Sequence, residues 1–268
     1  YRNGMDLVLT GLDIEEKADA FTNALFNSVG GKEQFDDVSI NLHRTDKENP
    51  NSNEEAMATL SIAVKSMNPD LVGRLFSAKI IELSLANYPG FFSGGGGKKP
   101  GPVIVYWPAL VDSKYIKEYV HLNGETIEVI PTSQMGFKEN FYQKNPIEIA
   151  PALGGETQKS PLGTLYGARS GDKGGCANLG VWAKTDLAYS FLFEFLTIEK
   201  LKELLPDLNN FEIDRYDLPN IKSLNFYIHD ILEDGVSSNN RKDGQAKSLG
   251  EYLRAKIIDI PNSIMKES

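Results

Sequence analysis

The stretch Ala168-Arg169-Ser170-Gly171-Asp172-Lys173-Gly174-Gly175-Cys176-Ala177-Asn178-Leu179-Gly180-Val181 places charged residues and four glycines between the apolar runs Gly163–Ala168 and Leu179–Ala183. Apolar, glycine, charged, glycine, apolar reads as strand, tight turn, strand. Glycine lets a backbone turn sharply and bring its N–H groups close to a ligand, and Arg169 and Lys173 complement an anion there. In such a turn Arg169, Asp172, Lys173 and Asn178 converge, the two cations facing a carboxylate, phosphate or enolate oxygen. Asp172 then orients Lys173 or acts as a base. The alternative is a hairpin turn with an internal ion pair, Asp172 with Arg169 or Lys173. The spacing fits neither GxxxxGK[ST] nor GxGxxG, so no nucleotide cofactor is implied.

Outward from this motif, the second half of the chain alternates helix and strand signals. Asp186 caps a helical region that runs to Leu205, with a second start at Thr197. Phe211, Ile213 and Arg215 mark a strand. Ile221, Leu224, Ile228 and Leu232 have helical spacing, but Leu224, Phe226 and Ile228 also alternate as a strand, and both readings stay open. Ala246–Ala255 is a helix with Leu249, Tyr252 and Leu253 inward, and Ile257–Ile260 a closing strand.

The first half reads as a strand over Met5–Leu9, then a helix from Asp13 with Glu16 in a capping-box position. Ile14, Ala18, Phe21, Leu25 and Val29 form its apolar stripe, and Gly30-Gly31 ends it. Strands follow at Val38–Arg44 and Leu60–Val64. Asn68-Pro69 opens a second helix, Pro102–Leu110 is a fourth strand, and Tyr119–His121 with Thr126–Ile130 form a hairpin around Asn123-Gly124. The order β-α-β-β-α-β is ferredoxin-like. Phe92–Gly101 is glycine-rich, yet it neither follows a strand nor opens a helix, so it reads as a surface loop. The fold class is α/β (α+β) in two domains, the first β-α-β-β-α-β ferredoxin-like and the second ferredoxin-like as well. The domains span 1–131 and 161–262, joined by a connector at 132–160 and followed by a tail at 263–268.

A chain of 268 residues, 41% hydrophobic and 24% charged, describes a globular protein. Its net charge of -9 is the wrong sign for nucleic acid, whose phosphates need a basic surface. A single cysteine, Cys176, excludes an internal disulfide and a thiolate-rich metal site, which suits a cytoplasmic protein. No apolar run reaches the roughly 20 residues of a membrane span. Because the sequence begins at Tyr1, directly before a strand, we read it as a processed, trimmed or partial chain.

Three histidines are far apart, with no HExxH or His/Cys cluster, so no metal is expected. His229, four residues after Asn225, is the first candidate for proton transfer; the alternative is a histidine hydrogen-bonded within its domain. Cys176 is either a nucleophile activated by Lys173 or a small residue filling the turn. Ser237-Ser238, Arg241 and Lys247 form a second anion-compatible group or a solvated loop. No GxSxG motif supports ester hydrolysis.

Ala168–Val181, with Asp217-Leu218-Pro219-Asn220-Ile221, Leu224-Asn225-Phe226, His229 and Lys247–Leu253, resembles the C-terminal ferredoxin-like domain of the acyclic terpene utilisation protein A family. Asn3–Asp13, Tyr88-Pro89-Gly90-Phe91-Phe92 and Val105-Tyr106-Trp107-Pro108 resemble the end of that family's core domain. Cys176 stands where a small or polar residue is expected. The resemblance implies acyclic terpene or branched-chain acyl-CoA catabolism. The leading expectation is a lyase or hydratase acting on a carboxylated acyl-CoA, with no cofactor. Asp172, Lys173 and His229 are its candidate catalytic residues. Arg169, Ser170, Gly171, Gly174, Asn178, Asn220 and Asn225 are its candidate ligand-binding residues. The partners expected are a small anionic molecule and further copies of the chain. The rival expectation is a non-catalytic accessory subunit, scaffold or small-ligand-binding protein.

Overall fold

A computed structural model describes residues 1–85, 88–93, 98–129 and 155–266, and the chain divides into two compact units, Tyr1–Ile104 and Val105–Ser268. In the first, β1 (Arg2–Thr10), β2 (Asp37–His43), β3 (Met57–Lys65) and β4 (Phe91–Ser93) form one sheet in the order β2-β3-β1-β4, all neighbours antiparallel. Helices α1 (Ile14–Ser28) and α2 (Phe76–Leu85), the latter preceded by a π-type turn over Leu71–Leu75, complete β-α-β-β-α-β. This is the ferredoxin-like order, 4-1-3-2 by chain position. Alternation explains it: Met5, Leu7 and Leu9 point with Leu60, Ile62 and Val64 into a core closed by Ile14, Phe21, Leu25, Phe76 and Ile80. Asn3 shares that face, and its buried amide donates to Val72 O, Ser77 Oγ and Lys98 O.

Three local expectations are corrected here. The fourth strand is Phe91–Ser93, not Pro102–Leu110, which forms no ladder because β1 is already flanked by β3 and β4. The glycine-rich stretch therefore does follow a strand, with Gly94–Gly97 outside the described residues, but no helix follows Lys98. Asp13 adopts a left-handed conformation at φ 58° and its side chain caps nothing. At the next helix, by contrast, Asn68 Oδ1 accepts from Asp70 N at 3.0 Å, as an N-cap does.

The second unit begins with an exposed hairpin, β5 (Glu118–Leu122) and β6 (Glu125–Val129), turned by Asn123 and Gly124 at φ 50° and 84°. Residues 130–154, most of the expected connector, lie outside the described residues. Beyond them come β7 (Thr157–Pro161), β8 (Gly167–Lys173), β9 (Cys176–Trp182), α3 (Asp186–Phe195), α4 (Ile198–Leu204), β10 (Ile213–Leu218), β11 (Ser223–Ile228), α5 (Leu249–Arg254), β12 (Ile257–Pro261) and α6 (Asn262–Met265). The main sheet has the antiparallel order β10-β11-β9-β8, while β12 pairs with β7. Thus β9, α3–α4, β10 and β11 are the first parts of a split βαβ unit. The place of its last strand is held by β8. Leu179, Val181, Leu224 and Phe226 face the helices and are fully buried.

The strand alternation at Leu224, Phe226 and Ile228 prevails over the helical spacing because the opposite positions, Asn225 and Tyr227, are left half-buried. Thr197 caps α4 through Lys200 N, but α3 is capped by Thr185, which accepts from Ala188 N, rather than by Asp186. On α5, Leu249 and Leu253 are buried, whereas Tyr252 remains 37% exposed.

Candidate functional site

The motif is almost entirely strand. β8 runs through Lys173, β9 starts at Cys176, and only Gly174-Gly175 turn the chain. Gly174 has φ +67°, the positive value that the first position of a II′ hairpin turn requires. Gly175 admits no side chain, because a Cβ there meets Glu233 O at 2.1 Å. Arg169–Lys173 therefore do not converge in a turn. Successive side chains leave a strand on opposite faces.

Ser170 and Asp172 take the helix side. The Ser170 hydroxyl accepts from Gly250 N at 3.0 Å, and Asp172 pairs with Lys247 at 3.4 Å. Arg169, Gly171 and Lys173 take the outer side, opposite Gly180, Asn178 and Cys176 respectively. Lys173 Nζ donates back to Asp172 O. Arg169 is exposed and makes no ion pair or side-chain hydrogen bond among the described residues. Asn220 sits in the turn between β10 and β11, at the far end of the sheet from Gly174.

The ladder carries this outer face across β11 and β10. Asn178 stands opposite Tyr227 and then Asp214, and Gly180 opposite Asn225 and then Tyr216. Asn178 Nδ2 donates to Asn225 Oδ1 at 3.2 Å. His229, just past β11, places Nε2 2.9 Å from Asp214 Oδ2. Its ring meets Tyr227 edge-on at 4.9 Å, and Tyr227 bonds the Cys176 sulfur, which also accepts from Asp230 N at 3.5 Å. The hydrogen bond to Asp214 holds the His229 pKa above its ordinary value, against partial desolvation. The bond to Cys176, with burial second, pushes Tyr227 up to about 12.

Of the proposed catalytic residues, Lys173 and His229 share one face and one end of the sheet, about 10 Å apart across two strand spacings. Asp172 belongs to the other face. Asp214, Tyr216, Tyr227 and Trp182 join this face beyond the residues the sequence motif singles out. For Asp214, Tyr216 and Tyr227 the signal is the period-two alternation of β10 and β11, which the helical spacing at Ile221–Leu232 obscures, whereas Trp182 closes β9. The second anion-compatible group is spoken for: Lys247 pairs with Asp172, Arg241 lies 3.8 Å from Asp207, and Ser238 Oγ bonds Gly235 O. A cleft of about 330 Å³ in the first unit, between α1 and β2, has an apolar floor of Ile40, Leu42 and Leu60. Its Glu15 is engaged by Arg44.

Among the described residues no group of three or more His, Cys, Asp or Glu is placed to hold a metal ion, and no helix is long and apolar enough to cross a membrane. No curated protein and no solved structure matches the chain. Two family models do. Residues 160–259, which carry the whole of this sheet, match the AtuA ferredoxin-like domain, and residues 1–122 match the acyclic terpene utilisation family protein AtuA. With both models matched in order along one sequence, the chain belongs to the AtuA family, implicated in acyclic terpene utilisation.

Proposed function

We propose that the chain is an enzyme of acyclic terpene or branched-chain acyl-CoA catabolism that acts on a carboxylated acyl-CoA by lyase or hydratase chemistry. The observation that carries this reading is the sharing of one sheet face by Arg169, a cation unpaired among the described residues, an amide pair, Asn178–Asn225, and a polarised acid–base pair, His229–Asp214. A guanidinium binds a carboxylate through two parallel N–H bonds. Amide N–H groups stabilise the oxygen charge of an enolate.

His229, oriented by Asp214, moves the proton. In a hydration it takes a proton from water as the water oxygen bonds to the β-carbon and the double-bond electrons move to the carbonyl oxygen, and it returns that proton to the α-carbon as the enolate collapses. Lys173, at the same end of the face, adds positive charge. The backbone separation of Arg169 and His229 is about 16 Å by strand geometry, shortened by the reach of both side chains. That span suits a ligand whose carboxylate lies several bonds from the reacting carbon.

The test is turnover of branched, carboxylated acyl-CoAs by the purified chain, read by product mass, beside a thermal-shift titration with the same compounds. His229→Gln should abolish turnover and keep the thermal shift. Neither turnover nor shift with any member of the series would refute the reading. Turnover indifferent to His229→Gln would remove His229 from it.

A further inference from the structure

The outer face changes character along the strands. Toward the Gly174 turn it carries Cys176, Asn178, Tyr227 and His229. Toward the β10–β11 turn it carries Trp182, Tyr216, Leu218 and Ile221, which are 42%, 52%, 40% and 65% exposed. Trp182, Ser223 and Leu218 form one row, and Arg169, Gly180, Asn225 and Tyr216 the next. The Trp182 indole lies over Gly167, where a Cβ would come within 2.2 Å of the ring, so the indole is laid against Arg169's own strand, β8. Gly180 leaves the floor between Arg169 and Asn225 open: a Cβ there has only Arg169 O at 3.7 Å and Asn225 Oδ1 at 3.9 Å as near neighbours. Arg169, unpaired among the described residues, thus borders an exposed apolar patch on one side and an amide pair on the other.

We propose that this face seats an amphipathic carboxylic acid lengthwise, its carboxylate on Arg169 beside Asn225 and its apolar chain over Trp182, Tyr216, Leu218 and Ile221. The seated chain runs from Arg169 away from His229, so it stands for an apolar branch of the substrate proposed above, whose reacting carbon lies in the other direction, and to that extent the inference rests on that reading. Charge complementarity selects an anion, because a cation of the same chain meets Arg169 as a like charge. The apolar patch selects chain length. A chain covering one row beyond Arg169 extends about 7 Å, the rise of two strand residues. The turn bearing Ile221 adds a further increment, so the gain from added methylenes should level off near eight carbons.

The experiment uses the whole chain with Trp107→Phe, which leaves Trp182 as its single tryptophan. Acetate, butanoate, hexanoate, octanoate and octylammonium are titrated against Trp182 emission. Octanoate should give a saturable change, with affinity rising about twofold per methylene from butanoate, half the dependence of full burial because one side of the chain stays wet. Octylammonium should give none. Arg169→Ala should weaken octanoate at least tenfold, while Leu218→Ser should flatten the chain-length dependence and leave butanoate unchanged. Equal binding of octylammonium, or an unaltered length dependence in Leu218→Ser, would overturn the assignment. So would an emission change that follows protein concentration, which would make the face an interface between copies. Octanoate binding by a chain with no turnover would leave the seat standing and remove the enzyme. Turnover indifferent to both Arg169→Ala and Leu218→Ser would do the reverse.

Discussion

Replacing Gly175 with alanine tests whether the two-residue turn fixes this sheet. The new Cβ would lie 2.1 Å from Glu233 O, a backbone atom that no rotamer change can move aside. The same loop is tied to the turn by Leu232 N, which donates to Gly175 O at 2.8 Å. Relief therefore means parting the loop from the turn and losing that bond. Overpacking costs about 1–3 kcal/mol, and a lost hydrogen bond about 1 kcal/mol. The sum, about 2–4 kcal/mol, should lower Tm by roughly 5–15 °C in a unit of this size.

Its neighbours serve as controls. Gly174→Ala forces a left-handed alanine, at about 1–2 kcal/mol, against only the exposed ring of Tyr106. Gly171→Ala meets nothing but the end of Lys247 and should be nearly neutral. Urea unfolding followed by tryptophan emission is the assay, because both tryptophans, Trp107 and Trp182, belong to the second unit. The reasoning fails if Gly175→Ala lies within about 0.5 kcal/mol of the parent, the range of an ordinary surface change, or is milder than Gly174→Ala.

Asp214→Asn should return the His229 titration midpoint, followed by NMR of the ring protons, toward the ordinary value of about 6.5. Since Asp214 raises the folded-state value, the stabilisation from His229 is complete below the unfolded midpoint and is lost as pH rises through the folded one; Asp214→Asn should abolish that slope in a series of urea melts. Asn3→Ala deletes a buried amide that serves three oxygens and should cost about 1–3 kcal/mol, read by circular dichroism of the first unit's transition. Thr197→Ala should cost about 1 kcal/mol of thermal stability through its lost cap, while Asp13→Ala, which removes no cap, should cost close to nothing.

These variants also mark what the sequence made legible. Strand alternation at Leu60–Val64, the apolar stripe of α1 and the threonine cap of α4 are local signals, and each produced its element. Val103-Ile104-Val105 is more β-like in composition than Phe91–Ser93, yet Phe91–Ser93 is the fourth strand of the first unit. Pairing is decided by which edge of β1 the returning chain can reach, a fact of topology and not of propensity. The motif reads as strand, tight turn, strand, but its four glycines and three charges hide how far the strands extend, through Lys173 and from Cys176. What prevails is the register with Cys176–Trp182, whose alternate residues are fully buried. Asn178 and Asn225 are 47 residues apart and meet only because β9 and β11 are neighbours. Asp214 and His229 are 15 residues apart and meet because β10 and β11 are neighbours.

The unusual strand order gives that ladder a functional consequence. In a split βαβ unit the edge place beside the first strand belongs to a strand arriving from the second helix, but here β12 goes to β7 and β8 takes the edge. Edge and central strand are then joined by two residues, so Arg169 cannot slip relative to Asn178 without every alternate side chain changing face. On the reverse side, Gly250 packs so closely that a Cβ would stand 3.2 Å from the backbone of Ala168 and Arg169, and its N–H is received by Ser170. The cation on the open face is thus positioned from the closed one. Pressure applied at residue 250 would move Arg169 first and reach His229, two strands away, last. A Gly250→Ala chain should therefore lose affinity for an anionic ligand while His229 keeps its raised midpoint, and a loss of both together would mean that the sheet moves as a single rigid plate.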